Sequence, residues 1–149
     1  MKIRVMTIDD YEQVYSLWMN TPNIGLNNLD DSKDGIAKFL SRNPNTCFVA
    51  DENSAIVGAI LGSHDGRRGT IAHAAVAQNK QRLGIGKMLV NAVVSALKDE
   101  GINKIFITVF CDNAAGSNFW DKQGFSVRED LIYRDKELNP LIKYNSYKC

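Results

Sequence analysis

The stretch of this chain with the clearest potential for chemistry is a six-residue turn with two glycines, from Gln81 to Gly86. A short apolar stretch precedes the turn. Apolar residues recurring at three- and four-residue steps predict a helix after it. A strand that turns through glycines into a helix leaves backbone N–H groups free at the positive end of the helix dipole. Such a turn is suited to binding phosphate.

Three phosphate-binding patterns compete for this turn. A Walker-type loop requires glycine at position 81 and Ser or Thr at position 88, where the chain has Gln81 and Met88. A dinucleotide fingerprint requires a third glycine at Leu89 and an acidic residue where Val109 and Phe110 stand. The pattern Gln/Arg-x-x-Gly-x-Gly/Ala fits at every position. The structural alternative is a turn whose glycines only permit close packing.

A second motif lies at 113–125, where the chain reads NAAGSNFWDKQGF. It is similar to N-x-x-A-x-x-(F/L)-(Y/W)-x-x-x-G-F, a motif of the GNAT superfamily of N-acetyltransferases. The turn matches the pattern on which that family holds the pyrophosphate of acetyl-CoA. Both motifs stand in the family's order, and the resemblance covers roughly residues 2–134. It implies an acetyltransferase with an α/β fold, a mixed and mostly antiparallel sheet of six to seven strands flanked by about four helices.

The predicted elements follow the order βααβββαβαβ within one domain spanning residues 1–149. Strands are predicted at 2–6, 46–51, 55–64, 70–76 and 104–110, and helices at 10–20, 32–43, 83–100 and 113–123. Residues 125–134 are expected to supply one or two final strands, and 135–149 either pack or fray. Tight turns join the strands from 46 to 76, whereas a helix joins 70–76 to 104–110. We therefore expect a parallel pair near the middle of the sheet.

The composition is ordinary for a globular protein, with 44% hydrophobic and 23% charged residues in 149. The net charge of +1 is spread along the chain, which argues against a nucleic-acid surface. No stretch predicts a signal peptide or a membrane span. The three cysteines, Cys47, Cys111 and Cys149, fit neither a zinc site nor a disulfide framework. They predict reduced thiols, no metal and a cytoplasmic location.

The family resemblance implies which residues hold the cofactor. Main-chain groups of the turn and the residue after it would bind the pyrophosphate: Gln81, Arg82, Leu83, Gly84, Ile85, Gly86 and Lys87. The pantetheine arm would pair with the strand at Ala74, Ala75 and Val76, although small residues there also suit core packing. Asn113 would contact the cofactor, and its structural alternative is the N-cap of the last helix. Trp120 would pack against the cofactor arm or the core.

The resemblance also implies a catalytic scheme, from which this chain departs at two positions. The N–H of Val76 would polarise the thioester carbonyl as an oxyanion-hole donor. Some relatives carry a glutamate base where this chain has Thr108, so the base candidates are His73, Asp65 and the pair Asp30 and Asp31.

The second departure concerns the leaving thiolate. Many relatives place a tyrosine acid where this chain has Trp120, whose indole is no acid in this pH range. Tyr133 on the predicted final strand, or water, could protonate the thiolate instead. Two of the base candidates have structural alternatives: His73 as an ordinary strand residue and Asp65 as a turn residue.

These inferences predict an acetyl-CoA-dependent enzyme that transfers acetyl directly to a primary amine of an unidentified small molecule or protein. The partners are then acetyl-CoA and the amine, without nucleic acid or membrane. Oligomeric state is left open, a homodimer included. One alternative is a non-catalytic acyl-CoA-binding module or regulatory subunit, and another is an interaction protein with a chance match. Cys111 invites an acetyl-enzyme hypothesis, but a cysteine ending a strand is usually a small hydrophobe.

Overall fold

The computed structural model describes residues 1–145, so the last four residues of the predicted tail lie outside it. We number the elements in chain order. The strands are β1 (Lys2–Val5), β2 (Gly25–Asn27), β3 (Phe48–Glu52), β4 (Ala55–His64), β5 (Gly69–Val76), β6 (Ile105–Phe106) and β7 (Lys143–Asn145). The α-helices are α1 (Tyr11–Met19), α2 (Lys33–Arg42), α3 (Ile85–Asp99) and α4 (Ala114–Lys122), and single 3₁₀ turns cover Ile8–Asp10 and Gln78–Lys80.

Five strands form the main sheet in the order β1-β3-β4-β5-β6. All neighbours are antiparallel except β5 and β6, which pair in parallel at Gly69 with Ile105 and Thr70 with Phe106. The predicted mixed, mostly antiparallel α/β fold is confirmed. The parallel pair forms, but within residues 1–145 it lies at an edge of the sheet rather than near its middle.

Two predicted strands differ from the structure. The strand predicted at 104–110 forms only at β6, and residues 125–134 form no strand. In the latter segment Arg128 and Asp130 pair with each other at 2.8 Å, and the apolar residues beside them, such as Ile132, are exposed. The apolar residues of this segment are therefore exposed instead of packed against a sheet.

One strand was not predicted. Residues Gly25–Asn27 lie in the turn-rich segment after α1, and they pair with β7 more than a hundred residues later. Tyr144 of β7 packs against the buried cluster on that side of the sheet, and its hydroxyl donates to the Asn27 carbonyl at 3.3 Å. Pairing this distant in sequence leaves no local signal.

Each face of the main sheet carries its own buried core. On the first face, α1, α2 and the loop between them pack over a cluster that includes Val14, Trp18, Leu26, Ile36, Leu61 and Ala75. On the second face, α3 and α4 pack over a cluster that includes Ile60, Ile71, Leu89, Val93 and Leu97. Among residues 1–145, every helix is too short or too polar to cross a lipid bilayer.

The helix starts follow the capping residues in the sequence. Ser32 accepts the N–H of Gly35 at 3.0 Å through its hydroxyl and begins α2, as predicted. Thr7 and Asp10 form a capping box before α1. Gly101 ends α3 with φ at 81°, as expected for a C-terminal glycine. The backbone also packs closely at Gly62, where a Cβ would lie 2.4 Å from the Thr46 carbonyl oxygen.

Candidate active site

The turn between β5 and α3 presents a run of free backbone donors. No hydrogen bond within residues 1–145 uses the N–H groups of residues 82–87. The first helical bond of α3 runs from the Met88 N–H to the Gly84 carbonyl at 3.1 Å. The N–H groups at the start of α3 therefore remain available at the positive end of a 15-residue helix. The side-chain amide of Gln81 donates from Nε2 to the Val76 carbonyl at 3.2 Å and so connects the turn to β5.

Left-handed backbone conformations shape this turn. Arg82 has φ at 64° and Gly84 has φ at 84°, so two left-handed residues precede the start of α3. Gly86 is needed for a different reason, because a Cβ there would lie 3.1 Å from the Phe119 ring of α4 and 3.8 Å from Val76. The two glycines thus set the curvature of the turn and the close packing of its helix.

A β-bulge interrupts β5 at His73. The register with β4 places His73 and Ala74 together opposite Ile60, and His73 takes a left-handed φ of 51°. In a regular strand, position 73 would face the α3 core like Ile71. The bulge instead turns His73 to the same face as Ala72, under α1. Histidine is among the side chains that tolerate this conformation, which costs energy and is often found at functional sites.

His73 forms a close pair with Asp31. Its Nε2 lies 2.7 Å from Oδ1 of Asp31, whose other oxygen accepts the Asn27 N–H at 2.8 Å. Asp31 is buried, at 5% exposure, and Trp18 packs edge-on against the imidazole with the ring centroids 4.9 Å apart. A carboxylate only accepts hydrogen bonds, so in the neutral imidazole Nε2 carries the proton and Nδ1 keeps the lone pair. Nδ1 has no hydrogen-bond partner within residues 1–145.

The Val76 N–H points into a gap beside β5. The Ala77 N–H donates to the Val57 carbonyl on β4 at 2.8 Å, so Ala77 and Val57 form a hydrogen-bonded pair. The next pair, Val76 and Gly58, is then a non-hydrogen-bonded pair whose N–H groups point away from each other. Because β6 ends at Phe106, it does not cover this part of β5. The Val76 N–H therefore has no partner on β4 or β6, and it lies close in the chain to the Gln81–Gly86 turn.

A cleft of about 820 Å³ lies on the same face as His73. Its floor is formed by Thr70, Ala72 and His73 of β5, and one wall is formed by α2 and the segment before it. The exposed Phe106 ring of β6 also lines the cleft. The cleft, the imidazole and the open edge of β5 thus lie next to one another.

The structure places several predicted site residues in structural roles. Asn113 caps α4 by accepting the Gly116 N–H at 3.0 Å, as its structural alternative predicted. Trp120 packs edge-to-face between Phe119 and Phe125, against the core. Whether either residue also contacts a cofactor stays a prediction.

Asp65 is a turn residue in the lining of the cleft, and Tyr133 lies on an irregular, exposed segment. Asp65 accepts the N–H groups of Arg67 and Arg68 at 2.8 Å, and these bonds lower its pKa. This is a turn residue, and no contact with a reacting group is seen. Tyr133 is 71% exposed and not on a strand. Partial burial and the neighbouring Asp135 raise the Tyr133 pKa. The prediction that it lies on a final strand is wrong, and its role as an acid stays a prediction.

The cysteines differ from the expectation of three reduced thiols. Cys47 is free and buried, and burial raises its pKa to about 12. Cys111, however, is disulfide-bonded, and Cys149 lies outside the described residues. Spacing in sequence does not show which cysteines meet in space, which is why the pattern missed this bond. Among residues 1–145, no group of three or more His, Cys, Asp or Glu side chains is arranged to hold a metal ion.

Sequence reasoning treated Asp31 only as a candidate base and did not pair it with His73. It assigned Trp18, within the predicted helix 10–20, no role at the site. The two residues meet His73 from separate elements, 42 and 55 positions away in the chain. The one available signal in the sequence was the adjacent acidic pair, Asp30 and Asp31.

Comparison with known proteins agrees with this arrangement. The sequence profile of the acetyltransferase (GNAT) family matches residues 11–125. Because the match covers most of the chain, the protein belongs to the GNAT family and is an acetyltransferase. The alternative of an interaction protein with a chance match is thereby wrong.

Individual relatives extend the likeness over nearly the whole chain. An acetyltransferase of Sodalis glossinidius is 29% identical over 138 residues, 93% of this chain and 96% of that protein. Among solved structures, Ard1 of Thermoplasma volcanium has a TM-score of 0.74 at 24% identity, covering 85% of this chain and 83% of that one. The PaiA N-acetyltransferase of Thermoplasma acidophilum, in complex with coenzyme A, has a TM-score of 0.71 at 18% identity and covers 98% of both chains. These structural likenesses support the fold.

Proposed function

We propose that this acetyltransferase moves an acetyl group from acetyl-CoA directly to a primary amine of a small molecule or a protein. The observation that carries the proposal is the run of N–H groups at 82–87 that no acceptor in residues 1–145 uses. A pyrophosphate offers the anionic oxygens that such a helix start binds. The coenzyme A in the complex of the PaiA N-acetyltransferase supports the same ligand for this fold.

The cofactor would lie along the open edge of β5. Main-chain groups of Gln81 to Lys87 hold the pyrophosphate, and the arm runs beside Ala74, Ala75 and Val76. The thioester oxygen then meets the Val76 N–H, which faces the gap left by β6. A fixed main-chain donor stabilises the oxyanion that forms when the amine attacks.

His73 is the base in this scheme, and Asp31 orients it. A lysine-type amine is neutral in only about one molecule in two thousand at pH 7, and an α-amine in about one in ten. A base that removes a proton from the bound ammonium therefore matters. With Nε2 held by Asp31, the free Nδ1 of His73 is the nitrogen that accepts this proton.

The thiolate leaves without a dedicated acid on β5 or α4. A thiol has a reference pKa of about 8.5, so the thiolate is already a fair leaving group and water can protonate it. Tyr133 remains the alternative acid. The scheme uses no metal and needs no nucleic acid or membrane, and it holds for a monomer or a homodimer.

The proposal is tested by incubating the protein with acetyl-CoA and a broad panel of primary amines. Release of the coenzyme A thiol and the acetylated product are followed by absorbance and mass spectrometry. We expect acetylation of at least one amine, with intersecting lines in double-reciprocal plots. Parallel lines would instead indicate an acetyl-enzyme. Binding of acetyl-CoA without any acetylated amine would contradict the proposal in favour of an acyl-CoA-binding module.

A Cys111→Ser variant addresses the acetyl-enzyme hypothesis directly. Cys111 is disulfide-bonded in the structure, and a disulfide sulfur carries no thiolate to accept an acetyl group. We therefore expect the variant to keep intersecting lines and its rate of transfer. Loss of transfer together with a parallel pattern in the parent protein would overturn the direct route.

A further inference from the structure

The cleft beside His73 carries opposite charge at its two ends, and we propose that its acceptor is a primary amine that also bears an anionic group. The amine binds at the end formed by Asp31 and His73, and the carboxylate or phosphate binds at the end formed by Lys38, Arg42 and Arg68. This inference rests on the proposed function, because it takes the cleft to be the acceptor site.

The acidic end lies next to the reacting groups. Asp31 is buried and held by the Asn27 N–H, and Asp30 beside it accepts from the Asn27 side-chain amide at 2.9 Å. These two carboxylates attract an ammonium group to the imidazole of His73. The acetyl group would lie at the gap near Val76, on the same strand. The amine end of the acceptor must therefore be the end that enters here.

The basic end is formed by three cations from two elements. Lys38 and Arg42 are four residues apart, so both project from one face of α2. Arg68 faces them from the turn between β4 and β5. None of the three forms an ion pair with an acidic side chain within residues 1–145.

Asp65 also lines this end, and its single negative charge leaves the three cations with a net positive charge. Its carboxylate is engaged by the N–H groups of its own turn, at Arg67 and Arg68. Three like charges at one end of a cleft repel one another, and an anion bound between them removes that repulsion. Lys33, the other lysine of α2, pairs with Glu12 at 2.8 Å and does not line the cleft.

The two ends are separated by a distance that limits the acceptor. At about 1.5 Å per residue, Lys38 lies about 8 Å and Arg42 about 14 Å along α2 from its first residue, Lys33, which follows Asp31 closely in the chain. Arg68 precedes His73 by five residues, about 16 Å along an extended strand. Because long basic side chains reach inward, an acceptor with a flexible spacer between amine and anion fits this length.

The test measures binding of bisubstrate conjugates, which does not depend on turnover. In each conjugate an acetyl bridge joins the sulfur of coenzyme A to the amine of ω-aminohexanoate, ω-aminooctanoate or ω-aminodecanoate. Each is made as the free acid and as the neutral primary amide, and a second set carries a terminal phosphate. Calorimetry gives the dissociation constants for the parent protein, for Lys38→Gln/Arg42→Gln and for the matched control Lys33→Gln.

We expect at least one acid or phosphate conjugate to bind about tenfold more tightly than its neutral partner. The preference should vanish in Lys38→Gln/Arg42→Gln, stay in Lys33→Gln, and weaken as salt is added. A preference for the phosphate set alone identifies a phosphorylated amine, and a preference for the acid set identifies an amino acid-like one.

Equal binding of acid, phosphate and amide conjugates at every length would overturn the inference, provided that coenzyme A alone still binds. A preference that survives in Lys38→Gln/Arg42→Gln would overturn it as well. If neither coenzyme A nor any conjugate binds, the proposed function fails and the inference fails with it. The binding of coenzyme A alone thus distinguishes the two failures.

Discussion

Replacing Asp31 with asparagine should disable the base without removing the cofactor site. The substitution keeps the size of the side chain but replaces one acceptor oxygen with an NH₂ group. Asp31 now accepts two hydrogen bonds, from the Asn27 N–H at 2.8 Å and from His73 Nε2 at 2.7 Å. An asparagine can keep the first bond through its oxygen, and its NH₂ then faces Nε2 as a donor. The neutral imidazole must then carry its proton on Nδ1, so the nitrogen assigned to proton transfer loses its lone pair.

The magnitude follows from the step that is lost. General-base catalysis contributes about 10²- to 10⁴-fold, so we expect kcat at pH 7 to fall by about 100-fold. That factor corresponds to about 3 kcal/mol of transition-state stabilisation. The effect should shrink at higher pH, because a larger fraction of the amine is then neutral without help.

The assay compares kcat, acetyl-CoA binding and thermal unfolding in parent, Asp31→Asn and Asp34→Asn proteins. Asp34 is exposed in the first turn of α2 and does not line the cleft, so its substitution changes the same charge nearby. We expect acetyl-CoA to bind all three proteins equally. A kcat for Asp31→Asn within threefold of the parent value across the pH range would refute the dyad. An equal loss in Asp34→Asn would attribute the effect to charge rather than to His73.

Three further predictions follow from other parts of the fold. Gly62→Ala should lower the free energy of unfolding in urea by about 1–3 kcal/mol, because its Cβ would meet the Thr46 carbonyl at 2.4 Å; an unchanged midpoint would contradict this packing. Burial raises the Asp10 pKa, but the hydrogen bonds from Arg4 and from the Thr7 N–H, together with the charge of Arg4, outweigh burial and hold the pKa below 3.8. Asp10 therefore stabilises the fold above pH 3.8 and loses this effect as pH falls through its folded pKa. Asp10→Asn should destabilise the protein at pH 7 and much less in acid below that folded pKa, and an equal loss at both would be evidence against the pair. Tyr133→Phe should leave kcat within threefold if water protonates the thiolate, whereas a large loss in initial-rate assays would make Tyr133 the acid.

Much of the fold could be predicted because its signals are local. The turn at 82–87 and the helix after it follow from glycine positions and a 3.6-residue apolar period. The N-caps Ser32 and Asn113 begin their helices because a short polar side chain there satisfies a free backbone N–H. The strand Ala55–His64 has the predicted bounds, since turn residues flank it on both sides.

The rest depends on contacts between distant residues. β2 exists only because β7 pairs with it, and residues 125–134 remain irregular because no sheet edge meets them. The bulge that brings His73 under α1 has no composition signal, since nothing in AHAA marks a change of face. Asp31 could be named as an acidic candidate, but its bond to His73 joins two elements that only the fold brings together.

The most direct test of the account is calorimetric titration with acetyl-CoA of the parent protein and two matched glycine variants. Gly84 and Gly101 both have positive φ, 84° and 81°, and a Cβ at either would meet nothing within 4 Å. Gly84→Glu and Gly101→Glu therefore impose the same backbone strain and the same charge at opposite ends of α3. We predict micromolar binding by the parent and by Gly101→Glu, and binding at least 100-fold weaker by Gly84→Glu. Equal binding by both variants, or no binding by the parent, would contradict the claim that the 82–87 turn holds the pyrophosphate.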